Sequence, residues 1–376
     1  MAESRATDMA ASSVLPPYAS PGLSWQKRLA PYCKPDGRRA LRQLLTTSVA
    51  FLANMAALVY AISHDLWYAL PLVLPASIFL VRLFIIQHDC GHGSFFKTRR
   101  TNEMLGLALS ILTMMPFWAW RRAHALHHAT SGNLDQRGTG DVTTLTVREY
   151  RSRSKMKKFL YRMYRHPLVL FGLGPAYLLL VRYRVPLGHP LRDWLSIIGT
   201  DVAAAISAAS LSVIIGPGPF LLAWSAVLLL ATSVGVWFFY IQHQFPDTYW
   251  ADSATWDFRI AAIEGSSYYD LPRFLHWLTG SIGFHHIHHL ASKVPNYRLR
   301  ACFDDNPEFQ RAKRVTLWAS VKSLRLALWD ENRRKLVSFR QAGTAFDHKY
   351  PAPKSGSPGL CGPETVSLYE ITGSSR

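Results

Sequence analysis

The sequence has few cysteines and few acidic residues, and each shortage excludes a class of protein. Its four cysteines lie far apart and form no CxxC pair, so neither a disulfide framework nor a cysteine-type zinc site is supported. Only 18% of the residues are charged whereas 49% are hydrophobic, which excludes a disordered or fibrous chain. Asp and Glu number 24 against 42 Lys and Arg, and the resulting net charge of +18 would suggest nucleic acid binding in a soluble protein.

Four long apolar runs predict instead that the chain is embedded in a membrane. Each has about 20 residues or more, the length that an α-helix needs to cross the hydrocarbon core. A buried helix in a large soluble core is the alternative for one run, but four runs in two pairs favour membrane spans. The runs are Leu41–Ser63, Leu66–Gln87, Trp194–Gly216 and Phe220–Ile241. Two shorter stretches, Leu105–Trp120 and Leu168–Val181, suit interfacial or re-entrant segments.

The distribution of Lys and Arg predicts the orientation of these spans. Seventeen lie between Lys97 and Arg192 and seventeen follow the fourth run, whereas the turns within the two pairs of runs have none. The positive-inside rule therefore places both termini, the middle region and the C-terminal third in the cytosol. Arg82, within the second run, is near enough to the cytosolic end to snorkel there. Topology and attraction to anionic lipid headgroups then explain the positive charge.

We therefore predict an all-α integral membrane protein with four transmembrane helices, interfacial helices and a cytosolic helical cap. Residues 1–36 and 341–376 lack long apolar runs and are expected to be flexible tails. Residues 37–300 form the membrane domain. Residues 301–340 combine helical periodicity with many basic side chains and form the cap.

Most of the fifteen histidines are clustered, which makes them the most informative residues in the chain. Three clusters read HDCGH, HALHH and HHIHH, and a further histidine in IQHQF directly follows the fourth run. On a helix, residues i, i+3 and i+4 share a face, so each cluster would present two or three imidazoles to a common point. A basic surface patch is the alternative. Eight or nine imidazoles at one membrane face exceed what one ion coordinates, so the clusters predict two metal ions.

Glutamate is missing from these clusters. Soluble di-iron bundles use Glu ligands and Glu-x-x-His motifs, and no Glu stands at ligand spacing here. Imidazole alone suits zinc, copper, iron and nickel, so the residues leave the metal open. Asp89, Asp135 and Asp141 are expected to accept hydrogen bonds from ligand imidazoles and so fix their tautomers, or else to be ordinary loop and cap residues.

The three clusters, in this order and around four spans, resemble the histidine boxes of the membrane fatty acid desaturases. The resemblance covers about Val81 to Tyr297. It implies a non-haem di-iron centre that uses O₂ and two electrons to introduce a cis double bond into an acyl chain. His286 occupies a variable place in its box and is not expected to bind metal. The implied ligands are His88, His92, His124, His127, His128, His243, His285, His288 and His289.

Finer features favour one branch of that family. The first box is HxxxH, the last begins with His, and no HPGG string of a fused haem-binding domain is present. The strings FYIQHQF, GSSYYDLP and TGSIGFHHIHHL resemble bacterial acyl-lipid Δ12 (omega-6) desaturases, and omega-3 desaturases are close relatives of these. The resemblance implies membrane-lipid acyl chains as the substrate and the bacterial inner membrane as the location.

The implied reaction needs a path for the acyl chain and a source of electrons. Trp118, Trp120, Trp277 and Phe284 flank the second and third boxes and are expected to line an apolar tunnel, with interfacial anchoring or core packing as the alternative. Because the chain contains no electron carrier, a ferredoxin or b-type cytochrome is expected to dock from the cytosol. The basic loop Arg148–Arg165 is the candidate docking site, and contact with lipid headgroups is its alternative role.

Two other functions fit parts of the sequence. A hydroxylase, ketolase or acetylenase would share the boxes and differ in its product. A metal transporter would need ionisable ligands near the membrane midplane, where the spans offer only Asp201 and Arg82. The remaining histidines lack partners at ligand spacing and have no expected role. They are His64, His166, His189, His276 and His348.

Overall fold

The computed structural model describes residues 25–138, 141–185 and 190–344. Its helices are α1 (Trp25–Leu29), α2 (Gly37–Ser63), α3 (Val73–His92), α4 (Arg99–Thr113), α5 (Phe117–Thr130), α6 (Val147–Ser152), α7 (Lys155–Tyr164), α8 (Gly174–Tyr177), α9 (Leu191–Ile215), α10 (Pro217–His243), α11 (Phe258–Glu264), α12 (Arg273–Leu278), α13 (His285–Leu290), α14 (Asn296–Asp305), α15 (Leu317–Ser323) and α16 (Phe339–Thr344). Its strands are β1 (Leu145–Thr146), β2 (Tyr268–Asp270), β3 (Arg314–Thr316), β4 (Leu326–Asp330) and β5 (Lys335–Ser338).

Four long apolar helices confirm the predicted spans. α2 and α3 form the first pair, with a 3₁₀ turn over Trp67–Leu72 leading into α3, and α9 and α10 form the second. α2 begins after Asp36, whose side chain accepts hydrogen bonds from the backbone amides of Arg38 and Arg39 in the first turn of the helix. Gly216 alone separates α9 from α10; its φ of 98° favours glycine, and Pro217 starts the next helix.

The helix α3 lies at the centre of the bundle, where it packs against α2, α4 and α10. Its side chains Leu80, Leu83 and Ile86 are almost completely buried in the largest apolar cluster of the described residues. Close packing on three sides fixes the position of its last turns. Those turns carry His88 and His92.

The helices α4 and α5 meet at a bend of 102°. α4 ends where Met114 adopts a left-handed conformation with φ of 56°, and Pro116 follows. Because the residue before a proline avoids the helical region, the chain cannot continue straight. The bend folds α5 back towards α3, so the stretch Leu105–Trp120 belongs to a bent helix pair, which is either a broken span or a re-entrant loop. Its interfacial or re-entrant placement stays a prediction.

The packing at this bend predicts a sharp response to one added methyl group. A Cβ atom on Gly106 would overlap the ring of Phe117, which is fully buried and cannot move aside. We expect Gly106→Ala to destabilise the fold by about 1–3 kcal/mol, the usual cost of overpacking. Thermal unfolding of detergent-purified protein measures the change. Gly235→Ala on α10, where nothing lies within 4 Å of the added atom, is the control and should unfold near the wild-type temperature. Equal melting temperatures for the two variants would contradict the packing.

The predicted helical cap over residues 301–340 contains strands as well as helices, so that part of the prediction is wrong. It mixes α14–α16 with three of the five strands. β4 pairs with β1 in parallel and with β5 antiparallel, while β2 and β3 form a parallel pair. All five residues of β4 are buried. A short apolar run that is buried on both faces has no periodicity that distinguishes a strand from a helix. For this reason the sequence alone did not predict the strands of the cap.

Helices extend into both of the segments that were predicted to be flexible tails. Within the predicted N-terminal tail, α1 buries Leu29 against the cap, and Arg28 forms an ion pair with Glu308 at 2.7 Å. At the other end, α16 continues to Thr344 and buries Ala342. Residues 1–24 and 345–376, which make up the rest of the two predicted tails, lie outside the described residues.

Candidate metal centre

Four helices bring their histidines to one side of the bundle. His88 and His92 lie in the last turns of α3, and His243 ends α10. The second box lies on α5, which the bend turns towards α3, and the third box forms most of α13. The short apolar stretches therefore do not separate the boxes.

The nine predicted ligands fall into two groups. In each group, one ring nitrogen of every residue lies within 4.8 Å of the others. The first group is His88, His92, His124, His128 and His288; the second is His127, His243, His285 and His289. This corrects the expectation that each box points to a single place, because the second and third boxes divide between the groups. Neighbouring positions on a helix face lie about 5–6 Å apart, which is enough to reach two adjacent centres.

Hydrogen bonds at Nδ1 fix the tautomers of two histidines in the second group. The Nδ1 atom of His127 lies 2.7 Å from Oδ1 of Asp141, and that of His243 lies 3.0 Å from the backbone carbonyl of Gly265. A carbonyl and a carboxylate only accept, so both Nδ1 atoms carry the proton and donate. In the neutral rings, each Nε2 atom then has a free lone pair.

Those lone pairs point at each other. Nε2 of His127 lies 3.1 Å from Nε2 of His243, which also lies 3.0 Å from Nε2 of His285. Two acceptors at this distance repel unless a proton or another cation lies between them. The same contact recurs in the first group, between His124 and His88 at 3.0 Å and between His288 and His128 at 3.0 Å.

The surroundings of α13 favour neutral imidazoles over protonated ones. Burial lowers the pKa of His285, His288 and His289 well below the usual histidine value, and neighbouring imidazoles lower it further. Deprotonated imidazole is the form that binds metal ions. In addition, Nε2 of His289 and Nε2 of His92 are buried without a hydrogen-bond partner. This donor set fits two metal ions better than it fits a protonated cluster.

Two of the three predicted aspartates contact histidines of the two groups. Oδ1 of Asp89 lies 3.1 Å from Nδ1 of His88, and its Oδ2 accepts hydrogen bonds from the backbone and side chain of Asn296. Asp141 contacts His127 as described above. The prediction is wrong for Asp135, because its carboxylate accepts a hydrogen bond from the backbone amide of Ser253 and not from a histidine. It therefore stabilises a loop.

Sequence reasoning missed two residues that orient this site. Asn296 holds the carboxylate of Asp89, and the carbonyl of Gly265 fixes the ring of His243. Neither has a motif spacing to the boxes. The carbonyl of any residue could accept this bond, and Asn296 begins α14 without a recognisable pattern, so only the fold reveals them.

The four predicted tunnel residues lie in different surroundings. The ring of Trp120 stacks on His124 with centroids 4.7 Å apart and also contacts His88. Trp118 packs under the guanidinium of Arg192. Trp277 is half-exposed, and Phe284 is fully buried in the core between α11, α13 and α14. Phe284 is thus a core residue, and Trp120 is the predicted tunnel residue whose ring packs against histidines of the first group.

The histidines without an expected role lie outside both groups. His286 is fully buried with its ring near Tyr268 and Phe303. His276 stacks on Phe284, and His64 and His166 make local backbone contacts. His189 and His348 lie outside the described residues.

The contact between Asp141 and His127 predicts a second-sphere effect. Asp141→Asn keeps the shape but removes the charge that holds the Nδ1 proton, so we expect product formation to fall about 10–100-fold while the protein stays folded. Product analysis by gas chromatography, normalised to purified protein, measures it. Asp135→Asn is the matched control and should retain activity near the wild-type level. Equal losses of activity in the two variants would contradict a role for the contact between Asp141 and His127.

Comparison with known proteins identifies the family. A family model described as "Fatty acid desaturase" matches residues 65–320, more than half of the chain. The chain belongs to the fatty acid desaturase family. It is therefore an oxidoreductase of lipid metabolism, in a metal-dependent family, and the matched region contains all nine histidines of the two groups.

Individual relatives agree with the family assignment. A "Fatty acid desaturase" of Bacillus subtilis is 43% identical over 317 residues, which cover 84% of this desaturase and 90% of the relative. A Synechocystis "sn-1 oleoyl-lipid 12-desaturase" is 27% identical over 239 residues, or 62% of this chain and 67% of the relative. An "sn-1 acyl-lipid omega-3 desaturase (ferredoxin)" of the same organism is 27% identical over 273 residues, or 67% and 70%.

Proposed function

We propose that the chain is a di-iron desaturase that uses O₂ and two external electrons to form a cis double bond in the acyl chains of membrane lipids. The observation that carries the metal assignment is the 3.1 Å contact between Nε2 of His127 and Nε2 of His243, both with lone pairs. A metal ion that accepts both lone pairs removes their repulsion. Iron and copper both carry out O₂ chemistry with imidazole ligands, and we propose iron because the chain belongs to the desaturase family; groups of five and four imidazoles suit two ions.

The two histidine groups fit such a centre, and the residues around them would orient and shield it. When bound, the iron ions would supply the activation of O₂ that an unactivated C–H bond requires. Asp89, Asp141 and the carbonyl of Gly265 orient three imidazoles from outside. Trp120 covers His124 and limits the access of water, which protects against side reactions.

For the position of the new double bond we propose Δ12, as an omega-6 desaturase. The support is the amino-acid sequence of the segments near the boxes (FYIQHQF, GSSYYDLP and TGSIGFHHIHHL) and the similarity to the Synechocystis 12-desaturase. An omega-3 desaturase is the alternative, supported by a relative of equal identity. A hydroxylase on the same scaffold remains the alternative for the chemistry. The metal transporter has no support beyond the histidines themselves, since the family match points to lipid oxidation.

The electron donor is proposed to be a ferredoxin or a b-type cytochrome. One relative carries "ferredoxin" in its name. Within the predicted docking loop, α7 exposes Met156, Phe159, Leu160 and Met163 on one face, which suits contact with lipid. The docking surface is therefore proposed at the groove beside it, where Arg165 donates a hydrogen bond to Gln244, the neighbour of His243. An acidic carrier would find three exposed arginines there, Arg162, Arg325 and Arg340, whereas Arg165 is buried behind them.

We propose that the enzyme lies in a bacterial inner membrane with the histidines on the cytosolic side. The long apolar helices are present in the structure. The support for the orientation is the clustering of Lys and Arg on the segments that carry the boxes, together with short, uncharged or nearly uncharged turns on the opposite side.

Fatty acid profiling tests the proposed function. The chain is expressed with a ferredoxin system in a bacterial host without polyunsaturated lipids, which is supplied with oleate or with stearate. Gas chromatography and mass spectrometry of methyl esters locate each new double bond. We expect a Δ12 diene from oleate, and no product from the His92→Ala control. A hydroxylated product would overturn desaturation, while a double bond at another carbon would overturn only the Δ12 assignment.

A further inference from the structure

A basic groove of about 600 Å³ lies between the start of α2, the middle of α3, α12 and α14. Five arginines line it: Arg39, Arg42, Arg82, Arg273 and Arg300. Asp304 is the carboxylate among its lining residues, and it pairs with Arg300 at 2.9 Å. Arg39 also lies 3.5 Å from a carboxylate oxygen of Asp36. The positive charge that remains, on Arg42, Arg82 and Arg273, favours an anion in the groove.

Arg82 is the most informative of these side chains. It is 95% buried, since its relative exposure is 5%. Its Nε atom donates a hydrogen bond to Thr47 at 3.0 Å, and its guanidinium lies 4.4 Å from the ring centre of Trp277. Its Nη1 atom has no partner, and no carboxylate of the described residues lies within ion-pair distance. A buried, unpaired charge is costly, so this geometry calls for an anion from outside the chain.

The groove opens where lipid headgroups would lie. On one side, Phe274 and Trp277 of α12 are 62% and 52% exposed, and tryptophan is enriched at the membrane interface. On the other side, Leu41 and Leu45 are exposed on the first turns of α2, one of the four apolar spans. An acidic protein could reach the outer arginines but not the buried guanidinium. A lipid phosphate can enter sideways from the bilayer, and arginine binds phosphate through two parallel hydrogen bonds.

The floor of the groove is connected to the first histidine group. Nε2 of Gln43 donates to Oδ1 of Asn296 at 2.9 Å, and Nδ2 of Asn296 donates to Asp89 at 2.8 Å. Asp89 in turn contacts Nδ1 of His88. A headgroup in this groove would therefore be held a few side chains from the histidines, while its acyl chains remain in the apolar region.

We propose that this groove binds the phosphate of a glycerophospholipid and so anchors the substrate whose acyl chain is desaturated. The role as substrate anchor rests on the proposed function, whereas phosphate binding does not. The site selects a phospholipid over a neutral glycolipid by charge. The bound phosphate also compensates Arg82.

Lipid retention on the purified protein tests this inference without any turnover, so its failure is distinguishable from a failure of the desaturation assay. Detergent-solubilised protein is mixed with dioleoyl phosphatidylglycerol, with a neutral dioleoyl galactolipid, with inorganic phosphate or with oleoyl-CoA, and native mass spectrometry counts bound molecules. Arg42→Gln and Arg82→Gln are compared with Arg38→Gln. Arg38 is exposed, adjoins Arg39 in the sequence and does not line the groove. The Arg38→Gln substitution therefore removes the same charge from outside the groove.

We expect wild type and Arg38→Gln to retain the phosphatidylglycerol at least about tenfold better than the galactolipid, and Arg42→Gln and Arg82→Gln to lose that preference. Arg42 is exposed, so its variant remains informative if the buried Arg82→Gln fails to fold. Equal retention of the galactolipid, or an unchanged preference in Arg42→Gln, would overturn the proposal. Stronger retention of oleoyl-CoA, or of inorganic phosphate alone, would overturn the assignment to a membrane phospholipid.

Discussion

His288→Ala is expected to abolish desaturation and iron binding by the first histidine group, while the protein still accumulates in the membrane. His288 is almost fully buried, and its Nε2 atom lies 3.0 Å from that of His128. It joins the third box to histidines on α3 and α5, so its loss opens the group on the side of α13. Iron per chain and product formation in the profiling assay measure the two effects. We expect activity to fall at least about 100-fold, beyond the 10–100-fold typical of a lost outer-sphere contact.

The control for this variant lies two residues away in the same box. His286 is also buried, but it lies outside both groups. His286→Ala removes the same number of atoms from the same helix and should keep its iron, although the cavity can lower its stability by a few kcal/mol. An active His288→Ala enzyme, or equal loss of iron in both variants, would remove His288 from the ligand set.

His243→Ala should lower the iron content from two ions per chain to one and eliminate activity. In the second group, Nε2 of His243 lies 3.1 Å from His127 and 3.0 Å from His285, so it contacts ligands from two other helices. The first group has no member on α10 and should keep its metal. Elemental analysis of purified protein gives the count, and the profiling assay gives the activity.

Asp247→Ala is the matched control for this second variant. Asp247 is an exposed residue in the loop that follows α10, and its loss should change neither the iron content nor the product. If His243→Ala retained two iron ions, the second group would not be a separate metal site. If it lost both, the two groups would depend on each other rather than bind independently.

The membrane architecture could be predicted because it depends on few properties. A run of about 20 apolar residues has one stable solution in a bilayer, so the four spans follow from length and composition. The histidine boxes were equally visible, because helical spacing places i, i+3 and i+4 side chains on one face. The bend after α4 also has a local cause in Pro116, but its angle depends on the packing of Phe117 against Gly106.

The division of histidines between the two groups could not be read from spacing. His127 and His128 are neighbours in the sequence, yet they belong to different groups, because His127 contacts His243 of α10 whereas His128 contacts His92 of α3. The role of Asn296 depends on a long-range contact with Asp89, which no local pattern reports. β4 could not be predicted from the sequence for a related reason, because its burial on both faces is a property of the assembled cap.

The metal content of the wild-type enzyme shows whether each of the two histidine groups holds an iron ion. The protein is purified from membranes of iron-supplemented cells, its metals are counted by elemental analysis, and its iron is examined by Mössbauer spectroscopy. We expect two non-haem iron ions per chain in two nitrogen-rich environments, one for the group of five imidazoles and one for the group of four. Purified, active protein with a single iron per chain, or with zinc in place of iron, would contradict this expectation.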